Sequence, residues 1–448
     1  MRTSAMARLA VMGVLLLALM LPLGMTHAVV SERAGRRDEA AREISGIWGG
    51  AQTLTGPVLE IPYRYSTTDS RGQRHQHVTR LFVLPETLEV EGVVTPETRA
   101  RGLFEVVVYE ARLAARGRFP RPDLSQVRPA PDELLWKDAV VSVGIADPKG
   151  ITGDVRVALG GRRLTVTPGV SDCDLFATGV QAAAAGLTAD APAVPFELAI
   201  DLRGTRELRV VPAGNDSTVR LTSPWPHPSF VGAPLPRTRT VDAAGFSASW
   251  RLPYFGRGYP PQWTAAAGNS GQLRAQAAAS AFGVTLVQPV DLYQQSERAV
   301  KYAALFIVLT FVLAFVWEIG SGVLVHPIQY LFVGFALCVF YLLLVSLAEH
   351  VRFDPAYSVS AAAIIALISW YWSWVLRGAR HGAIMAGALA LLYGYLYLLL
   401  RLEDFALLAG SVGLFIVLGV LMFVTRRVNW YELRLGTGAR QEGLRPSS

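Results

Sequence analysis

Residues 301–319 read KYAALFIVLTFVLAFVWEI and contain almost no charge after Lys301. A helix needs about 20 apolar residues to cross the hydrocarbon core of a bilayer, so this run predicts a membrane-spanning helix over Tyr302–Ile319. Further apolar runs predict spans at Leu9 to about Val30, Ile328–Ala348, Val359–Leu376, Ala383–Leu400 and Ala406–Val424. We therefore expect a transmembrane bundle of six helices, with one N-terminal helix and five C-terminal helices.

The charges along the chain predict the orientation of these helices. The net charge is +7, and its excess of basic residues lies at the chain ends and in one short loop: Arg2, Arg8, Arg377, Arg380, Arg426, Arg427, Arg434, Arg440 and Arg445. Basic loops favour the cytoplasmic side of a membrane. Both termini are thus expected in the cytoplasm and the central domain outside, and the basic balance does not indicate a nucleic-acid ligand.

The first apolar segment allows two interpretations. Arg2, Arg8 and the small residue Ala28 are typical of a secretory signal peptide, but the apolar run continues through Val29 and Val30. We favour an uncleaved signal anchor; cleavage would leave five helices. The expected division is a signal anchor at 1–30, a periplasmic domain at 31–298, a five-helix domain at 299–425 and a cytoplasmic tail at 426–448.

The central domain has the pattern of a β-rich fold. Ser31–Ile47, rich in Arg, Glu and Ala, predicts a helix leaving the membrane. Short strands separated by Gly and Pro turn signals follow, which favours a sandwich-like antiparallel domain. They are predicted at Val58–Tyr63, Leu103–Leu113, Ala139–Ile145, Asp154–Leu159, Phe196–Leu202, Glu207–Val211, Thr218–Thr222 and Gly245–Leu252. The predicted class is an α+β membrane protein.

One proline-rich segment is the leading candidate site. Residues 223–230 read SPWPHPSF, and three alternating prolines cannot donate ladder hydrogen bonds, which predicts a stiff extended loop. Trp225, His227 and Phe230 would be displayed on it and could contact a ligand such as a glycan or a partner peptide. The alternative, which we favour, is a rigid corner whose aromatic rings fill the core.

Other polar residues give weaker signals. His75 and His77 would share one face of a strand, but two histidines alone do not make a zinc site. Asp172 and Asp174 flank Cys173 at a spacing that is common in turns. Cys173 and Cys338 are expected in different phases, so no disulfide is predicted. Neither a cofactor nor a metal is expected.

Ionisable residues in the apolar third lie near the ends of the predicted spans: Glu318, Glu349, His350, Asp354, Arg401, Glu403 and Asp404. No span carries a charge near its middle, which weakens the case for an ion-coupled transporter. The sequence also lacks a Gly-x-Ser-x-Gly elbow, a His-Glu-x-x-His motif and a P-loop, so an enzyme is not expected.

Several stretches resemble the CreD family of inner-membrane proteins of Gram-negative bacteria. They lie along the whole chain: residues 48–58, 141–151, 223–230, 300–303, 326–330, 341–350, 392–397, 402–404 and 425–431. The resemblance implies an inner-membrane protein with a role in cell-envelope integrity. It also implies a link to a two-component system that responds to growth conditions and, in some bacteria, to β-lactam exposure. It supplies no catalytic residues.

Three functions remain open at this point. The first is a non-enzymatic envelope protein, with membrane lipids as expected partners and other envelope proteins as further candidates. The second is a transporter or handler of lipid or cell-wall precursors, which requires a continuous polar cavity in the bundle. The third is an exported envelope hydrolase, which requires a deep polar pocket near His227 or Asp172.

Overall fold

The computed structural model describes residues 5–102, 104–171, 173–184, 186–188, 193–265, 270–288, 292–321, 323, 325–402 and 405–426. The chain divides into two compact units. One combines Met1–Arg37 with Val290–Ser448, and the other is Asp38–Pro289. The following paragraphs treat each unit by itself.

Helices account for the first unit and a small part of the second. They are α1 (Ala5–Trp48), α2 (Ser270–Ser280), α3 (Leu292–Ser321), α4 (Pro327–Ala348), α5 (Phe353–Val375), α6 (Ala379–Arg401) and α7 (Ala406–Thr425). Among the described residues, six of these helices, all except α2, are long and apolar enough to cross a membrane. The predicted arrangement of one N-terminal and five C-terminal helices is confirmed.

The helix α1 continues well beyond the predicted span. It runs without a break through Ser31–Ile47, the segment for which the sequence predicted a helix, and ends at Trp48. Its N-terminal part buries one face, with Met12, Leu19, Leu23 and Val30 in the bundle core. The spacing of these residues is that of a single helical face.

Aromatic side chains fill the interior of the bundle. The ring of Phe340 on α4 makes edge-to-face contacts with Tyr341, Tyr357 and Tyr393 at centroid separations of 4.9, 5.5 and 4.6 Å. Such geometry is favoured by the ring quadrupoles. By contrast, α7 exposes most of its apolar side chains, as expected for a surface in contact with lipid.

The second unit is built from eighteen strands among its described residues. They are β1 (Gln52–Thr68), β2 (Arg74–Val83), β3 (Thr87–Arg101), β4 (Phe104–Phe119), β5 (Glu133–Leu134), β6 (Val140–Ile145), β7 (Arg156–Leu159), β8 (Arg162–Leu164), β9 (Val166–Pro168), β10 (Gly179–Ala183), β11 (Val194–Thr205), β12 (Glu207–Val210), β13 (Asp216–Ser223), β14 (Pro228–Val231), β15 (Thr238–Asp242), β16 (Gly245–Pro253), β17 (Gln262–Thr264) and β18 (Phe282–Leu286).

These strands form two sheets. The first has ten strands, with the order β14-β18-β12-β1-β6-β10-β9 and with β2, β5 and β17 attached beside β1. The second has eight strands in the order β15-β16-β13-β3-β4-β11-β7-β8. Most pairs are antiparallel, as predicted, and each sheet also contains one parallel pair, β1 with β12 and β13 with β3.

Both sheets contribute to one hydrophobic core. Trp250 on β16 of the eight-stranded sheet is 1% exposed and packs against Phe230 and Phe282 of the ten-stranded sheet, at ring separations of 5.8 and 5.5 Å. Two sheets that share inner-face side chains in this way define a sandwich. The sandwich-like, β-rich domain expected from the sequence is therefore present.

Candidate functional site

The proline-rich segment forms the link between the two sheets. β13 of the eight-stranded sheet ends at Ser223, and β14 of the ten-stranded sheet begins at Pro228. The connection is fixed by hydrogen bonds to the segment after β18, because Trp225 Nε1 donates to Val287 O over 3.0 Å and Val287 N donates to His227 O over 3.1 Å. The extended loop is thus shorter than predicted, because Pro228–Val231 form the strand β14.

The three candidate residues of this segment have different environments. Phe230 is half-buried against Phe246 and Trp250. Trp225 is half-buried, and its ring packs on the same core. The side chain of His227 is exposed. The two aromatic rings therefore support the corner of the domain, and His227 is the member that solvent or a partner can reach.

His75 and His77 lie on β2 and are exposed. His75 Nε2 lies 3.1 Å from Asp69 Oδ2, and His77 Nε2 lies 2.9 Å from Thr67 Oγ1. The ring of His77 also stacks on Tyr65 at 5.2 Å. Each histidine thus has its own local partner, and among the described residues no group of three His, Cys, Asp or Glu side chains could hold a metal ion.

Cys173 and Asp174 are buried in the domain core, whereas Asp172 lies outside the described residues. Asp174 Oδ2 accepts a hydrogen bond from Trp263 Nε1 over 2.9 Å. Burial raises the pKa of the Cys173 thiol to about 12, so the thiol stays protonated at physiological pH and is a poor nucleophile. Both cysteines are free, as predicted.

A polar cluster at the C-terminal end of α1 was not indicated by any local sequence pattern. The guanidinium carbons of Arg99 and Arg203 lie 3.9 and 4.2 Å from the ring centroid of Trp48, which is cation–π geometry. Nearby, the buried amide of Gln52 donates to Asp147 O and to Arg203 O, each over 2.9 Å. Trp48, Gln52 and Asp147 belong to two stretches that carry the family resemblance, and the fold brings those stretches together.

Glu318 is deeply buried, with 2% of its surface exposed. Of the described ionisable residues that were predicted near span ends, it is the one with such deep burial. Its Oε2 accepts a hydrogen bond from the Tyr330 hydroxyl over 2.7 Å, and its Oε1 accepts one from Val325 N over 3.2 Å. The carboxylate therefore joins the end of α3 to the start of α4.

Several other ionisable residues of the bundle make polar contacts near helix ends. Asp354 accepts hydrogen bonds from Arg401 Nη2 at 2.6 Å and from the Tyr397 hydroxyl at 3.1 Å. Arg33 Nε lies 3.6 Å from Glu349 Oε1, and His350 Nδ1 lies 3.0 Å from Ser346 O. Glu403 and Asp404 lie outside the described residues. The Asp354–Arg401 contact joins α5 to α6 and the Arg33–Glu349 contact joins α1 to the end of α4, whereas the His350 contact is local to the end of α4.

The fold defines a class: a multi-pass α-helical membrane protein that carries a two-sheet β domain between its first and second spanning helices. The family model described as "Inner membrane protein CreD" matches residues 4–431. Inner membrane protein CreD of Escherichia coli (strain K12) is 34% identical over 430 residues, which cover 94% of this chain and 92% of that protein. The chain belongs to the CreD family.

Solved structures give a much weaker likeness. An M1 zinc metallopeptidase from Deinococcus radiodurans matches with a TM-score of 0.20, at 11% identity, over 39% of this chain and 41% of the peptidase. A mutant of the same peptidase with bound substrate gives a TM-score of 0.19 at 12% identity. Likeness at this level carries no argument about the fold or the chemistry of the present chain.

Proposed function

We propose that this protein is a non-enzymatic component of the bacterial inner membrane that contributes to cell-envelope integrity. In this proposal both termini lie in the cytoplasm and the β domain lies in the periplasm, where it contacts other envelope proteins. Membership of the CreD family and the placement of basic loops support this location. The proposal includes a functional link to a two-component stress response.

The packing of the bundle is the observation that carries the proposal. The buried side chains of α3–α6 form one cluster of aliphatic and aromatic groups, in which Phe311, Phe340, Leu344 and Trp372 are at most 1% exposed. Close packing of large apolar side chains favours a filled interior over a continuous polar path between these helices. A bundle of this kind suits an anchor or platform better than a conduit.

The β domain supports the same interpretation. Its described clefts include one of about 580 Å³ beside β8 and β9 and one of about 250 Å³ between the ten-stranded sheet and α2. His227 lines neither of them, and Asp172, the other residue around which a hydrolytic site was considered, lies outside the described residues. A hydrolase requires converging titratable groups in such a pocket. Among the described lining residues, the first cleft has a single carboxyl group, Asp154, and the second has none.

One observation favours a second candidate, the handling of a lipid or cell-wall precursor. Among the described residues, Trp317 Nε1, Trp372 Nε1, Ser369 Oγ and His381 Nδ1 are buried atoms without a hydrogen-bond partner. They lie on α3, α5 and α6, and the rings of Trp317 and His381 are in contact at 5.9 Å. Buried polar atoms that lack a hydrogen-bond partner call for a polar partner.

A deletion strain distinguishes these functions. We expect loss of the chain to increase sensitivity to detergent and to β-lactams, and to change the output of a two-component reporter. Plasmid-borne wild-type protein should restore both. Unchanged sensitivity and unchanged reporter output in the deletion strain would contradict the proposal. Accumulation of a lipid-linked precursor in the deletion strain would instead support the second candidate.

A further inference from the structure

The smaller cleft of the β domain lies on the outer face of the ten-stranded sheet. Thr53 and Thr55 on β1 line it, whereas Leu54 between them is 1% exposed and belongs to the core. Successive side chains of a strand point to opposite faces. The strand register places Thr53 beside Arg209 and Thr55 beside Gly144, so this row of side chains lies on the face opposite the core.

Small residues keep the cleft open. Its opposite wall is formed by Ala277 and Ala278 of α2 and by Ala281, which directly follows this helix. On the sheet side, a Cβ atom at Gly144 would lie 2.4 Å from Cγ of Phe176, so no larger residue fits without displacing that ring. The cavity has a volume of about 250 Å³, which is large enough for several water molecules or a short apolar chain.

The charge in the cleft has one sign. Arg209 and Arg274 line it, and its lining among the described residues includes no Asp or Glu. Arg209 is half-buried and donates to Glu207 Oε1 over 2.7 Å. Arg274 is exposed and donates to Cys173 O over 3.4 Å, and it forms no ion pair with any residue that the structure describes. A guanidinium that makes no ion pair among the described residues, at the open side of an apolar cleft, is suited to an anionic group.

We propose that this cleft binds an amphiphilic anion, in which a short apolar chain ends in a carboxylate or a phosphate. The chain would lie against Leu175, Val211 and the alanines of α2, and the anionic group would accept hydrogen bonds from Arg274, with Thr53 beside it. Two of the stretches that carry the family resemblance, residues 48–58 and 141–151, form one wall of this cleft. The inference goes beyond the proposed envelope role and does not depend on it.

Equilibrium dialysis of the full-length protein in lipid nanodiscs tests the proposal, with empty nanodiscs as the blank. The probes are octanoate, octyl phosphate, octanol and octylammonium. We expect saturable binding of octanoate, octyl phosphate or both, with octanol and octylammonium at least about tenfold weaker, since a charge-assisted hydrogen bond contributes that much. The two anions distinguish a carboxylate ligand from a phosphate ligand.

Matched variants locate the binding. Arg274→Ala should weaken binding of the anions about tenfold, whereas Arg112→Ala, at an exposed arginine on β4, should leave it unchanged. Ala278→Leu should block the cleft, and Ala275→Leu, at an exposed position of the same helix outside the cleft, should not. Octanol binding as tightly as octanoate, equal effects of the paired variants, or no saturable binding above the blank would each overturn the proposal.

Discussion

The hydroxyl of Tyr330 donates a hydrogen bond to Oε2 of Glu318, with 2.7 Å between the two oxygens, and both side chains are buried. The bond connects the end of α3 with the first turn of α4. The Tyr330 ring packs between the rings of Phe311 and Trp372, at centroid distances of 5.6 and 6.3 Å. The hydrogen bond joins α3 to α4, and the ring contact of Tyr330 with Trp372 joins α4 to α5.

Tyr330→Phe should therefore destabilise the bundle while preserving its packing. Removal of the hydroxyl takes a charge-assisted donor from a buried carboxylate, and we expect a loss of about 1–3 kcal/mol in the free energy of unfolding. Thermal unfolding of the purified protein in detergent measures the change. Tyr371→Phe is the control, because its hydroxyl makes no hydrogen bond to a described residue. Equal effects of the two substitutions would contradict the structural role of the Glu318 contact.

A second prediction concerns the contact between α5 and α6. A Cβ atom at Gly382 would lie 2.7 Å from the backbone oxygen of Ser369, whereas one at Gly387 would have no neighbour within 4 Å. Gly382→Ala should force the two helices apart and cost about 1–3 kcal/mol. Gly387→Ala should be neutral or slightly stabilising, since alanine is the better helix former. The unfolding temperatures of the two variants in detergent provide the measurement. A Gly382→Ala protein as stable as the wild type would contradict the prediction, because it would show that α5 and α6 can move apart without cost.

Much of the fold could be predicted because its signals are local. A run of apolar residues as long as Ala406–Val424 fits a spanning helix and little else in a chain of this kind, and the structure has α7 at Ala406–Thr425. The ends of the strands could be predicted less accurately than the ends of the spanning helices. Val58–Tyr63 was predicted as a short strand, yet β1 extends over Gln52–Thr68, with a register shift between Thr55 and Val58 that accommodates Gly56 and Pro57.

The candidate sites could be predicted less well because they depend on long-range pairing. The cleft beside α2 requires Thr53, Arg209 and Arg274 to meet, and nothing in their local sequence indicates that they do. The same applies to Trp48 and the two arginines that flank it. By contrast, the prolines around Trp225 and His227 indicated a rigid segment from the local sequence alone. The burial of Phe230 could not be predicted in the same way, because it depends on contact with Trp250 of the other sheet.

A third prediction tests the proposed orientation. Ser70 lies in an exposed turn of the β domain and Arg380 is exposed near the start of α6. Ser70→Cys should react with a membrane-impermeant maleimide in spheroplasts, and Arg380→Cys should react only after permeabilisation. The native thiols should give little background, because Cys173 and Cys338 are both buried and burial raises the pKa of Cys173 to about 12. The reverse labelling pattern would place the β domain in the cytoplasm.

A fourth prediction separates the structural and functional parts of the proline-rich segment. Phe230→Ala removes a ring that packs on Phe246 and Trp250, and should cost about 2–4 kcal/mol in the stability of the β domain. His227→Ala alters an exposed side chain and should change stability by less than about 0.5 kcal/mol. Near-ultraviolet circular dichroism during heating follows the packing of the aromatic core.

The same two variants can then be compared in the deletion strain. If His227 contacts an envelope partner, His227→Ala should fail to restore detergent resistance while the protein stays folded and present at the wild-type level. Phe230→Ala should lower resistance only in proportion to its loss of folded protein. Full restoration by His227→Ala would remove this residue from the candidate site. The imidazole is exposed and makes no hydrogen bond to a described side chain, so its effect on the phenotype should come from what it binds.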